Sequence, residues 1–129
     1  MAEDLTTTTL IEAATAHPSL RFLLSNWIGL KGADLIKAGL RGRCLIDIAR
    51  LHVLMNKDVP KLIDELRVES IAFGSHTPFD YLGPSLVKLA NLAALYPGDE
   101  YEKIAWKNAA SFFRLEIIDG RNPRKSGER

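Results

Sequence analysis

Ile71-Ala-Phe-Gly-Ser-His-Thr-Pro-Phe79 is the stretch on which the fold reading turns. Three apolar residues run into Gly74 and Ser75, His76 follows, and Pro78 closes the segment. A short apolar run that stops at turn-forming residues reads as a buried parallel strand, because a strand covered on both faces shows no alternation. In parallel α/β folds, ligands bind at the carboxyl ends of the strands. His76 is thus expected where an imidazole can hold a metal or carry a proton. The alternative is a loop histidine bonded to a nearby backbone carbonyl.

Two more apolar runs read the same way, Arg21-Phe-Leu-Leu-Ser25 and Cys44-Leu-Ile-Asp-Ile48, with Ser70–Phe73 as the third. Their starts lie roughly 23 to 26 residues apart, one strand-plus-helix unit. Between them, Asp58–Arg67 predicts a helix with Asp58 as N-cap, Pro60 in the first turn, and Val59, Leu62, Ile63 and Leu66 on one face. Leu30–Leu40 repeats the pattern more weakly, with Leu35, Ile36 and Leu40 together and Gly39 or Gly42 as terminators. Pro84–Leu95 aligns Leu86, Leu89, Ala90 and Ala93, and Pro97-Gly98 ends it. A final helix opens at Asp99, with Glu102 three residues on as in a capping box, and stripes Tyr101, Ile104, Ala105, Ala109, Phe112 and Phe113. A leading helix over Leu10–Ala16 stops before Pro18. The predicted order is α-β-α-β-α-β-α-α, with right-handed crossovers and a parallel sheet.

Composition narrows the function classes. The 129 residues are 47% hydrophobic and carry a net charge of +1, enough for one core and too balanced for a strong nucleic-acid or membrane field. One cysteine, Cys44, excludes an intrachain disulfide and suits a reducing, cytoplasmic setting, with Cys44 as a small core residue. The acidic Met1-Ala-Glu-Asp start and the Thr6–Thr9 run do not read as a secretory signal, and charges interrupt every candidate membrane span. Residues 119–129, with Arg121, Arg124, Lys125 and Arg129, read as a flexible basic tail beyond a domain spanning 1–118.

Other residues follow the strands. Asn26 and Trp27 succeed the first, and Asn26 offers an amide for a carbonyl or water, or else a turn cap. Arg50 and His52 succeed the second: Arg50 suits a carboxylate held bidentately, and His52 could join His76 as a metal pair, or both could lead, solvated, into the next helix. Asp47 lies within its strand, pointing either into a polar interior or to solvent. His17 sits at the opposite end of the sheet. Phosphate-loop, nucleophile-elbow and HExxH motifs are absent, and aromatics do not interleave with basic residues as nucleic-acid binding requires.

From about His17 to Leu115 the chain resembles the C-terminal part of the amidohydrolase-related, metal-dependent hydrolases with a (β/α)8 barrel. Pro18-Ser-Leu-Arg-Phe-Leu-Leu-Ser-Asn26 is similar to a proline-led strand of that family, Cys44–Ile48 to the next, and Ala72–Phe79 to its last barrel strand, usually F-G-S-D-x-P-F. Tyr101–Phe113, with its Asn-Ala pair, is similar to the closing helix. The resemblance implies an α/β fold, a partial (β/α)8 barrel of about three parallel βα units with a closing C-terminal helix. It implies hydrolysis or decarboxylation of small carboxylated or cyclic substrates, with His76 and Asn26 as catalytic residues and Arg50 and His52 as substrate contacts.

The departures set the remaining expectations. Asn26 stands where the family has a metal-site histidine and His76 where it has an aspartate, and no His-x-His pair is present. A divalent metal such as zinc is therefore implied by the resemblance while its ligands are not retained, since catalytic zinc needs about three protein ligands. Eight units take about 250 residues, so the chain reads as an incomplete barrel, inactive when isolated and completed by self-association or a complementing chain. The competing reading is a non-catalytic binding or assembly module on the same scaffold, driven by open strand edges and apolar surface.

Overall fold

The computed structural model describes residues 6–25, 27, 29 and 31–116. The basic tail over 119–129 lies outside them, as does Asn26. The elements in order are α1 (Thr7–Ala16), β1 (Phe22–Leu24), α2 (Gly32–Lys37), β2 (Cys44–Asp47), α3 (Asp58–Leu66), a 3-10 turn (Val68–Ser70), β3 (Ile71–Ala72), α4 (Leu82–Leu95), α5 (Asp99–Glu102), a π-helical stretch (Lys103–Lys107) and α6 (Asn108–Phe113). The three strands form one parallel sheet in the order β1-β2-β3. Phe22 pairs with Cys44 and Leu24 with Ile46, while Ile46 pairs with Ile71. Mixed α/β architecture and parallel pairing are as the sequence predicts, on shorter strands.

The core forms where helices cover the sheet. Ile46, Ile48 and Ile71 are fully buried with Leu35, Leu40 and the α3 face of Val59, Leu62 and Leu66. The 3.6-residue period of α3 puts those three on one side, and each such burial is worth about 1.5–3 kcal/mol. Arg43 ties the periphery together: its guanidinium donates to the carbonyls of His17 at 2.8 Å, Leu20 at 3.0 Å and Ala14 at 3.4 Å. The end of α1 and the entry to β1 are fixed to β2 by one side chain.

The C-terminal helix closes the outer edge of β3. In a π stretch the i→i+5 pattern disturbs the ordinary carbonyl ladder, and here the Ile104 carbonyl accepts from the Phe73 amide at 2.8 Å. One step along, the buried Asn108 amide donates to the carbonyls of Val68 and Ile71, both at 2.8 Å. Helix groups thus meet strand groups that an open edge would leave unpaired. The expectation of open edges on both sides is corrected at β3, while β1 remains an outer strand.

Several local expectations change. Lys57 is the N-cap of α3, and Asp58 instead turns its carboxylate back to accept from the His52 amide at 3.0 Å. Gly98 precedes α5 with no side-chain cap, and Asp99 pairs with Lys103 and Lys107 rather than forming a capping box. The inward face of α4 carries Ser85, Lys88 and Leu92, leaving Leu86 and Ala90 exposed. Lys88 supplies the reason, because its ammonium seeks backbone carbonyls at the end of β2 and turns that face inward. Ile36 and Phe113 are also exposed, the latter beyond the point where the π stretch shifts the helical phase.

Candidate functional site

Parallel pairing brings the carboxyl ends of β1, β2 and β3 to one side, where Ser25, Asp47 and the Gly74–Asp80 loop meet. Asp47 is the last residue of β2; its Oδ2 accepts from the Ser25 hydroxyl and its Oδ1 from the Ala49 amide at 3.0 Å. Gly74 packs directly on it: a Cβ there would lie 2.7 Å from the Asp47 Cβ and 2.8 Å from its Cγ. Only glycine allows the third strand to leave the sheet against that carboxylate. Asp47 is half-buried and bonded through both carboxylate oxygens; it knits the three strand ends.

His76 sits in the left-handed region at φ 57, and its carbonyl accepts from the amides of Phe79 at 2.9 Å and Asp80 at 3.0 Å. That turn brings Asp80 under the ring, where Oδ2 lies 2.8 Å from Nδ1. A proton held between Nδ1 and the carboxylate leaves Nε2 as the acceptor. The ring also leans on Phe79, with centroids 5.4 Å apart. His76 is therefore bonded to a side-chain carboxylate, not to a backbone carbonyl, and is built as an oriented base. Ser25 faces Asp47 rather than His76, so no serine–histidine relay forms.

Lys88 arrives from α4. Its Nζ donates to the carbonyls of Ala49 at 2.5 Å and Ile48 at 3.3 Å. Burial pushes its pKa down, with the Arg50 guanidinium acting the same way, while Asp47 and Asp80 oppose the shift. Lys88, Arg50, Asp47 and the His76–Asp80 pair gather at the carboxyl end of the sheet, able to move a proton and to hold a carboxylate or a developing oxyanion.

His52 stands apart from this group. Its Nδ1 lies 3.0 Å from Asp58 Oδ2, and the Asn56 amide approaches at 3.4 Å. His52 and His76 are each engaged with a separate carboxylate, and among the described residues no group of three histidine, cysteine or carboxylate donors could hold a metal ion. The described residues do not supply the three ligands a catalytic zinc needs. Arg50 is exposed just beyond the carboxyl end of β2, near enough to Lys88 to lower its pKa, Trp27 packs on the core, and Asn26 falls outside the described residues. Cys44 is buried, and desolvation raises its thiol to about 11, as suits a core residue.

Sequence reading missed Lys88, Asp80 and Ser25. Asp80 carried a signal, four residues after His76 across a proline turn. Lys88 carried none, because Ser85, Lys88 and Leu92 form no apolar stripe and their inward turn comes from the fold.

No family model, curated protein or solved structure matches the chain. Among the described residues, no helix is long and apolar enough to cross a membrane.

Proposed function

We propose that the chain is an amidohydrolase-related protein keeping three βα units of that family's scaffold, with a strand-end site for hydrolysis or decarboxylation of small carboxylated or cyclic substrates. The observation that carries this reading is the His76–Asp80 pair at 2.8 Å beside Lys88 and Arg50. In it, Nε2 of His76 is the base, Asp80 fixes the tautomer, and Arg50 holds the substrate carboxylate. Complementing strands add at the outer edge of β1, the β3 edge being taken by the C-terminal helix, so the completed sheet stays open on that side. The isolated chain binds substrate without turning it over.

The test is a nuclear magnetic resonance titration of the histidine ring protons with benzoate and with dihydrocoumarin. His76 resonances are expected to shift with saturation and those of His52 to stay put, the response to benzoate being lost in Arg50→Met. Unchanged His76 resonances with both probes would overturn the proposal.

A second reading, the assembly module, is favoured by the start of α4 and the loop before it. Phe79 is 82% exposed, Tyr81 91% and Val87 62%, with Leu82 and Leu86 alongside. So many large apolar side chains on one short segment mark a contact surface. Sedimentation velocity tests it: concentration-dependent association, abolished in Val87→Glu, is the expected outcome. A monomer across the concentration range would sink it.

A further inference from the structure

The amino ends of the strands hold a second feature, unrelated to the His76 site. A cavity of about 540 Å³ opens there, lined by Arg21, Arg41 and Arg67 together with Ser70, Ser111 and Phe112. Parallel topology explains the gathering: Arg21 directly precedes β1, Arg41 lies just before β2, and Arg67 leads into β3. Residues far apart in sequence thus share one end of the sheet.

Charge in the cavity is unbalanced. Glu69, the one carboxylate among the described lining residues, pairs with Lys103 at 3.0 Å, and that bond, with nearby Arg67 adding to it, holds its pKa below the usual range. Arg21 is placed over the Phe112 ring, 4.8 Å from its centroid. Neither Arg41 nor Arg67 makes a salt bridge among the described residues. The wall behind them is fixed, because both bonds of the Asn108 amide go to the β3 segment. Arg67 also has a costly backbone, φ 80 and ψ 161, a region that glycine favours. An arginine kept at a glycine position, facing a cavity with two other guanidiniums, is a functional pattern more than a packing one.

We infer that this cavity is a binding site for a small organic anion, its phosphate or carboxylate head held by Arg21, Arg41 and Arg67 and its apolar body lying on Leu45, Leu66 and Phe112. Guanidiniums suit both head groups through paired N–H donors. The volume lies within the range of small-molecule sites and exceeds what a bare inorganic ion fills.

Isothermal titration calorimetry of the full chain carrying Arg50→Met, which removes benzoate binding at the His76 site, tests the assignment at low ionic strength with phenyl phosphate, benzoate and inorganic phosphate as probes. Phenyl phosphate or benzoate is expected to bind at one site, more tightly than inorganic phosphate. Arg67→Gly is the decisive variant, since it suits the backbone while removing the charge: the tighter probe should lose at least tenfold in affinity as the thermal midpoint holds or rises. Arg41→Met should weaken binding similarly, whereas Lys61→Met should leave it within twofold. No binding of either organic probe at millimolar concentration would overturn the inference. So would equal affinity in Arg67→Gly and Arg41→Met, or inorganic phosphate binding as tightly as both organic probes.

Discussion

At the residue scale, Gly74 and Cys44 show how much one side chain decides. The strand end reaches Asp47 only because Gly74 lacks a Cβ. Gly74→Ala must push against that carboxylate, with an expected loss of about 1–3 kcal/mol, read as a lower urea midpoint. Cys44 makes a pH prediction. Its thiol rises from an ordinary value of 9.0 to about 11 in the folded chain because burial penalises the thiolate. The unfolded chain therefore gives up this proton first as pH rises. The stabilising contribution is complete below pH 9 and declines toward pH 11, by up to about 2–3 kcal/mol. Burial raises Tyr96 in the same direction, and ion pairing raises Lys103 and Lys107, so the check is a comparison of wild type with Cys44→Ala. The wild type should lose more stability between pH 9 and 11, and iodoacetamide should label Cys44 at pH 8 only after unfolding.

At the element scale, the C-terminal helix does more than close the chain. Its π stretch lets the Ile104 carbonyl meet Phe73, and Asn108 satisfies two further carbonyls. Asn108→Ala removes both donors in a buried place, and about 2–4 kcal/mol should be lost in urea unfolding. Asn108→Asp should be no better, since an ionised carboxylate offers the carbonyls no proton. α4 behaves differently. Its polar Ser85 and Lys88 face inward, while Leu86 and Val87 face out. Hydrophobic periodicity alone groups Leu86 and Ala90 with the half-buried Leu89 and Ala93, because it cannot foresee a lysine reaching the carbonyls of Ile48 and Ala49. The π stretch is equally hidden, as its phase shift leaves no local residue signature.

At the scale of the whole molecule, one sheet separates two ends with different chemistry. The carboxyl end has the His76–Asp80 pair, Lys88 and Arg50; the amino end has the three-arginine cavity. Purified chain is expected to hold well below one zinc per molecule by elemental analysis. Stoichiometric zinc lost on His76→Ala would overturn that expectation, which rests on the lack of a three-donor group among the described residues.

Local sequence alone was enough to determine the α/β class, the three strand positions, the α3 core face and the placement of His76 after a strand. Each follows from apolar runs, periodicity and turn residues that act over a few positions. Tertiary structure alone decided that Asp80 orients His76, that Asp47 joins three strand ends, that a helix rather than a strand covers β3, and that Arg21, Arg41 and Arg67 share a cavity. Those outcomes depend on which distant residues the parallel sheet brings to the same end, and no local pattern encodes that distance.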